Sequence, residues 1–299
     1  MHRLRHLHLP DLQLSRGDAL REVRRAGTGG RPVTLPDHAV VATAAVAPLL
    51  ASASVRAEQV SQLVLGETGD LLGRSGEWLH VRTAADGYEG WVNQGYVREL
   101  PATEAADWRA AATAWSEGAR VSVGDTVVAL PLRGRVALDD SLVLLPDGRA
   151  GRLVDGSVAD AREFEARAAG VPAEEWALDH FRGSPYQWGG LTPWGVDCSG
   201  LVQTTFLARG VVLPRDSSKQ AEAGEAVALD RIAPGDLLFF RSESGPHITH
   251  VAFAAGGDTI VHSTIACGGV LRESFAPGSR AGDAIRPRLA AARRVSSRS

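Results

Sequence analysis

Between residues 248 and 264 the chain reads ITHVAFAAGGDTIVHST, and few short stretches leave so little choice of fold. Two apolar, β-prone runs flank Gly256-Gly257-Asp258, residues that accept the backbone angles of a tight hairpin. An antiparallel pair is expected here, with His250 on one strand and His262 on the other. A turn centred on Gly256 sets the two histidines opposite, or nearly opposite, each other across the ladder. Opposed residues point to the same face with Cβ atoms about 4.5–5.5 Å apart. One imidazole can then act as a general base while the second holds it in the right tautomer and orientation.

A base needs a nucleophile, and GVDCSGLVQTTF (195–206) offers one. Leu201, Val202, Thr205 and Phe206 fall on one face of a helix that begins beside Cys198. A thiol there meets the free N–H groups and the positive end of the helix dipole, which favour the thiolate. Free cysteine is also among the most buried residue types, so this stretch alone leaves a reactive thiol and a small hydrophobe both open. The paired histidines decide for the reactive thiol. A zinc site built from Cys198, His250, His262 and Cys267 is the competitor, but none of these form a close Cys-x-x-Cys or His-x-x-x-His pair. No metal is expected. The glycines flanking Cys198 read as room for a substrate to approach.

The texture of the chain changes at about Ser157. Residues 1–33 read as an extension, with a short helix at DALREVRR. From 34 to 100 short β runs alternate with glycine and charge, and the alternation in EWLHVR and YEGWV fits half-buried strands of a small barrel. Trp108, Ala112 and Trp115 lie at helical spacing and predict a linker helix over 101–117. Residues 118–158 return to short strands and tight turns such as Pro146-Asp147-Gly148, consistent with a diverged copy of the first β segment. From 159 to 299 helices come first, one ending at Gly183 and the cysteine helix at Gly210, and strands follow at 236–240, 248–255 and 259–264. That order predicts an α+β domain with an antiparallel sheet.

At 299 residues the length accommodates two or three domains, and 44% hydrophobic with 22% charged residues is an ordinary globular balance. A net charge of −3 gives no reason to expect nucleic acid or an anionic membrane as a partner. Two cysteines cannot build a disulfide framework, so free thiols in a reducing compartment are expected. MHRLRHLHLPDLQLSRGD lacks the apolar core of a signal peptide, and the weakly apolar AVVATAAVAPLLASA starts late and carries a proline. No run reaches the roughly 20 apolar residues of a membrane span. A cytoplasmic location is expected, with a secreted or cell-envelope location as the alternative. Oligomeric state is not legible.

SPYQWGGLTPWGVDCSGLVQTTF, followed by PRDSSKQ, PGDLLFF, HITHVAFAAGG and TIVHST, resembles the NlpC/P60 family of papain-like cysteine peptidases over residues 160–299. The resemblance implies Cys198 as nucleophile, His250 as general base and His262 as the orienting residue. Tyr186, in PYQWGG, matches a tyrosine that helps stabilise the oxyanion, and backbone N–H groups near Cys198 and Ser199 are natural further donors. EQVSQLVLGETGDLLGRSGEWLHVRTAADGYEGWV resembles a bacterial SH3 (SH3b) domain, of the kind that precedes NlpC/P60 domains in γ-D-glutamyl-L-diamino acid endopeptidases. The implied architecture is a papain-like catalytic domain preceded by two small all-β SH3b barrels.

Members of that group cleave peptidoglycan stem peptides between γ-D-glutamate and the diamino acid and require a free N-terminal L-alanine. The resemblance carries over a tyrosine of the first SH3b domain as Tyr88, and an Asp-Ser pair as Asp216-Ser217, whose aspartate also suits a helix N-cap. Glu58 stands nearest to the family's acidic residue, with its register displaced. Asp197 is expected to cap the cysteine helix and touch substrate. Trp188 and Trp194 are expected to pack or line the groove. The implied activity is a cofactor-free cysteine endopeptidase on L-Ala-γ-D-Glu-diamino acid peptides, in cell-wall peptide recycling. The alternatives are a secreted, SH3b-targeted wall hydrolase and an amidase or acyltransferase on the same scaffold.

Overall fold

Alternation builds the first sheet: in Trp78–Thr83 the side chains of Leu79, Val81 and Thr83 are buried and their neighbours are not. Seven antiparallel strands between His38 and Pro101 wrap such inward residues into one core of Val40, Leu49, Leu63, Leu79, Val81 and Val92. The computed structural model describes residues 37–296; the helix expected at DALREVRR lies outside the described residues.

The helix that follows covers Ala102–Ala111 only. Trp115 does not continue it but sits in the strand Ala114–Ser116, fully buried. There its ring stacks on Phe164 at 5.0 Å between centroids, and the Arg135 guanidinium lies over the ring, 4.1 Å from its centroid. Burying the indole this way outweighs helical spacing, an instance of tertiary packing overriding local preference. A second sheet of seven antiparallel strands runs from Ala114 to Asp160 around Val121, Leu130, Val136, Val143 and Leu145, and Leu65 of the first sheet completes its core.

The remainder is α+β. Helices Ala161–Ala169 and Ala173–Phe181 come first, the latter followed by Gly183 at φ +79°. The cysteine helix Cys198–Leu207 packs Leu201, Val202 and Phe206 against Phe239, Val251, Phe253 and Val261. Those last four residues belong to a six-stranded antiparallel sheet. Its spatial order is Glu225–Val227, Leu289–Arg294, Leu237–Arg241, Ile248–Ala254, Thr259–Thr264 and Gly269–Ser274. The opposite face of the sheet is covered by Phe240, Ala252, Ile260 and Phe275. Among the described residues no helix is long and apolar enough to cross a membrane.

Polar ties hold the two β segments to the α+β part. Gln59 Nε2 donates to the carbonyl of Trp188 at 2.8 Å, Leu191 N donates to Gln62 Oε1 at 2.9 Å, and Gln203 Nε2 donates to Asp86 Oδ2 at 2.6 Å. The deepest tie is Arg133, in a turn of the second β segment, at 2% exposure. It pairs with buried Glu67, in a turn of the first, and donates to Thr204 Oγ1 of the cysteine helix at 3.2 Å. It does so from φ +79°, a strained angle for a residue with a Cβ, which the surrounding bonds hold in place. Removing one partner of a buried pair leaves the other charge uncompensated. Arg133→Ala is therefore expected to cost about 3–5 kcal/mol in denaturant unfolding at neutral pH. A loss below about 1 kcal/mol would show that Glu67 is satisfied without it.

Candidate active site

Asp197 organises the nucleophile end of the helix. It occupies the N-cap, where Oδ1 accepts from Gly200 N at 2.7 Å, and Oδ2 accepts from Gly189 N at 2.8 Å. Arg215 closes on the same carboxylate with both terminal nitrogens, at 2.6 and 3.1 Å, and donates to Ser199 Oγ at 2.8 Å. Asp197 and Arg215 are 5% and 3% exposed, a buried ion pair whose remaining acceptor capacity is taken by backbone and hydroxyl donors. With both oxygens engaged, Asp197 positions the chain rather than reaching into the groove. The glycines here serve close approach of chain to chain, not space for substrate. A Cβ at Gly200 would lie 2.0 Å from the Gly190 carbonyl oxygen, and one at Gly195 2.0 Å from the Gln187 side chain.

Cys198 is the first residue of the helix and is 6% exposed. Burial first, then the charge of Asp197, pushes its thiol up to about 12. The backbone N–H groups of Val251 and Ser199 and the charge of Arg215 oppose this only in part. Val251 immediately follows His250, so the sulfur sits beside the histidine strand. Burial, then His262 and then Arg288, drive His250 down to about 3. At neutral pH the pair rests as thiol and neutral imidazole, and the proton moves only as the sulfur attacks.

The two histidines are bonded, Nε2 of His250 to Nδ1 of His262 at 2.8 Å. They are not directly opposed, however. The ladder pairs Phe253 with Val261 and Ala254 with Ile260, which offsets His250 from the partner of His262 by two residues. The cause is the turn: Gly256, Gly257 and Asp258 all have positive φ, making a three-residue loop centred one residue later than a turn at Gly256. The offset keeps both rings on one face, as side-chain period two requires, and the imidazoles bridge the diagonal.

Tyr186 is half-buried, and its N–H donates to the Gly268 carbonyl at 2.8 Å. Burial, then the charges of Cys198 and Asp197, raise its hydroxyl, which stays protonated beside the thiol. Asp216 holds the N-cap position of the short helix Ser217–Gln220 but makes no capping bond with its side chain. Instead its Oδ1 accepts from the Tyr88 hydroxyl at 3.3 Å, joining the first β segment to the catalytic part. Burial and Asp216 push Tyr88 up to about 12. Ser217 is buried beside them. Glu58 is exposed just before the strand Gln59–Val64, with no side-chain hydrogen bond or ion pair among the described residues. Trp188 and Trp194 are 55% and 50% exposed on the loop before the nucleophile. Cys267 is exposed and, like Cys198, a free thiol. Among the described residues no three His, Cys, Asp or Glu side chains converge in metal-holding geometry.

Sequence reasoning missed two groups of residues. Arg215 carries no local signal, since only the fold brings it under Asp197. Glu273, on the strand Gly269–Ser274, accepts from His262 Nε2 at 2.6 Å and is gripped by Arg280. Its signal was available in GVLRES, where Leu271 and Glu273 alternate onto the face that carries His262.

Likeness to known proteins begins at the level of class: a helix presents sulfur to imidazoles on an antiparallel sheet, the layout of a thiol hydrolase. The NlpC/P60 family model matches residues 183–278, and a model described as a bacterial dipeptidyl-peptidase Sh3 domain matches residues 49–95. Similar over 137 residues at 33% identity is the murein DD-endopeptidase/LD-carboxypeptidase MepS of Escherichia coli K12, covering 44% of this chain and 72% of that one. The chain therefore belongs to the NlpC/P60 family. The γ-D-glutamyl-L-lysine dipeptidyl-peptidase of Bacillus subtilis 168 is 48% identical over 84 residues, 28% of each chain. Its namesake in Bacillus cereus ATCC 10987 is 39% identical over 84 residues, 28% of this chain and 25% of that one. The matched segment thus spans about a quarter of each dipeptidyl-peptidase. A crystal structure of an NlpC/P60 family protein from B. cereus ATCC 10987 shares the fold at TM-score 0.73 and 22% identity, over 86% of this chain and 99% of that one. The likeness extends through both β segments, as two SH3b-like modules ahead of a catalytic domain.

A neutral resting pair has a kinetic signature. Below the thiol pKa the thiolate fraction grows about tenfold per pH unit. Alkylation of Cys198 by iodoacetamide in substrate-free protein, followed on its own peptide so that Cys267 does not interfere, is expected to climb steadily from about pH 6 to 9. A flat rate across that range would mean that a preformed thiolate–imidazolium pair reacts instead.

Proposed function

We propose that this protein is a cysteine endopeptidase that hydrolyses the bond between γ-D-glutamate and the diamino acid in peptidoglycan stem peptides bearing a free N-terminal L-alanine. The observation that carries this reading is the Tyr88–Asp216 contact. It sets a carboxylate and a phenol from two domains together near the start of the cysteine helix, where an acyl chain would end. A terminal ammonium needs such a carboxylate, and a closed end favours a short, already trimmed peptide. The two Bacillus relatives are named for a γ-D-glutamyl-L-lysine dipeptidyl-peptidase activity, and this chain resembles each of them over 84 residues.

In this reading the Cys198 sulfur attacks the γ-glutamyl carbonyl carbon while its proton passes to His250, and the carbonyl electrons move to oxygen. Backbone N–H groups at the helix start and the protonated Tyr186 hydroxyl stabilise that oxyanion. Collapse of the intermediate breaks the C–N bond, and the leaving amine takes the proton from His250. Water, giving a proton to the same imidazole, then attacks the thioester, and the sulfur departs with that proton. His262 orients His250, and Asp197 with Arg215 fixes the helix start. Ser217 is buried next to Asp216, and the Ser199 hydroxyl is held between Asp197 and Arg215. No cofactor enters the scheme.

The polar ties between domains favour the first SH3b module as a wall of the groove over a free wall-binding anchor, and so favour recycling of released peptides in the cytoplasm. The test is hydrolysis of L-Ala-γ-D-Glu-meso-diaminopimelate beside its N-acetylated form and intact sacculi. The free tripeptide is expected to be cut by far the fastest. Cys198→Ala is expected to abolish cleavage, and Asp216→Asn to lower kcat/KM for the free peptide roughly 10–100-fold, the worth of a hydrogen bond to a charged group. Equal rates on free and acetylated peptides would refute recognition of the amine, and faster cutting of sacculi would refute the recycling role.

A further inference from the structure

Glu273 lies one strand beyond His262, paired in the ladder with Ile260 and diagonal to the histidine. Its carboxylate accepts from His262 Nε2 at 2.6 Å and meets the Arg280 guanidinium through both oxygens, with Arg280 Nη2 2.5 Å from Oε1. Its side chain is 13% exposed and that of His262 3%, so solvent does not compete freely for these bonds. With Arg280 it forms the far end of a hydrogen-bonded chain, His250, His262, Glu273, Arg280, whose near end lies on the strand beside Cys198.

We propose that Glu273, held by Arg280, is a positioning residue that fixes the direction of the hydrogen bond between the two histidines, so that His250 offers a lone pair and not a proton to Cys198. This rests on Cys198 and His250 acting as nucleophile and base.

Each proton in the chain follows from the next. An ionised carboxylate only accepts, so His262 Nε2 carries a hydrogen. A neutral imidazole with its hydrogen on Nε2 accepts through Nδ1, so the 2.8 Å contact is donated by His250 Nε2–H. His250 Nε2 is then the protonated nitrogen, and Nδ1, the nitrogen left for the thiol, is bare. Without Glu273 the mirror arrangement is just as well bonded between the rings: His262 Nδ1–H donates to His250 Nε2, and the hydrogen of His250 moves to Nδ1. That form meets the thiol donor to donor and has no base. Burial works to raise the Glu273 carboxyl, but its hydrogen bond from His262 and the Arg280 guanidinium prevail and hold it below the usual carboxylate range. Burial first, and Arg288 as well, disfavour a second proton on the His250 ring. When His250 becomes imidazolium during attack, the same chain sets the Glu273 charge behind it, two bonds away.

The experiment is nitrogen NMR of histidine tautomers in the full chain enriched with 15N-histidine, with the two rings assigned by loss of their signals in His250→Asn and His262→Asn. The wild-type spectrum is expected to show both rings protonated at Nε2, whatever the substrate proves to be. Glu273→Leu is expected to lose that pattern and to lower kcat on the tripeptide roughly 10–100-fold, the usual cost of removing an outer hydrogen-bond partner. KM is expected to stay within about twofold, because no substrate contact is removed. Glu273→Gln keeps an acceptor oxygen and is expected to restore the Nε2–H pattern and part of kcat. It also keeps the test available if the leucine variant fails to fold. A wild-type His250 protonated at Nδ1, or a fall in kcat with the tautomers unchanged, would overturn the proposal. Retention of activity in Cys198→Ala would instead overturn the nucleophile assignment and leave the spectrum to be judged by itself.

Discussion

Everything in the catalytic half is arranged around the buried charge of Asp197. A carboxylate removed from water must be met by donors from all sides, and the four donors here come from three stretches of chain. Gly189 comes from the loop that carries Tyr186, Gly200 and Ser199 from the cysteine helix, and Arg215 from the segment that continues into Asp216. Satisfying one carboxylate thereby fixes the relative positions of the thiol, the loop of Tyr186 and the segment of Asp216. The same charge has a chemical cost. It is the second cause, after burial, of the raised Cys198 thiol. The site thus holds its nucleophile in the protonated form and relies on a neutral histidine to take the proton.

The β modules are part of this arrangement. Leu65 completes the second core, Trp115 and Leu132 join the core of the catalytic domain, and Arg133 ties Glu67 to the cysteine helix. Three chain segments that each form a sheet or a helix layer share buried residues, so their docking is a matter of packing and not of a tether.

Much of this was readable from the chain. The hairpin around Gly256-Gly257-Asp258, the helix starting at Cys198 and the stops at Gly183 and Gly210 rest on local chemistry that the fold obeys. The failures have physical causes. Trp115 has helical spacing but gains more by stacking on Phe164 in a strand than by extending the helix. The histidine register shifts because the turn is centred on Gly257 and not on Gly256. Asp216 looks like a cap by type and position, yet its side chain turns to Tyr88, a partner that no local pattern reveals. Arg215 was invisible because its role depends on which carboxylate the fold brings to it, whereas the alternation in GVLRES already put Glu273 on a strand face and only the pairing of the strands names its partner. Glycines around Cys198 suggest openness in a sequence, whereas here Gly200 lets backbone pack against backbone and Gly195 makes way for the Gln187 side chain.

The Tyr88–Asp216 contact joins residues 128 positions apart in the chain. On the proposed reading, the groups that break a bond and the groups that admit a peptide are therefore written in different parts of the gene and meet only after folding. Changes in the first barrel would then alter which peptide is accepted while the sulfur, the imidazoles and their buried support are inherited intact. In a lineage of such proteins, selectivity and reactivity are free to diverge at different rates.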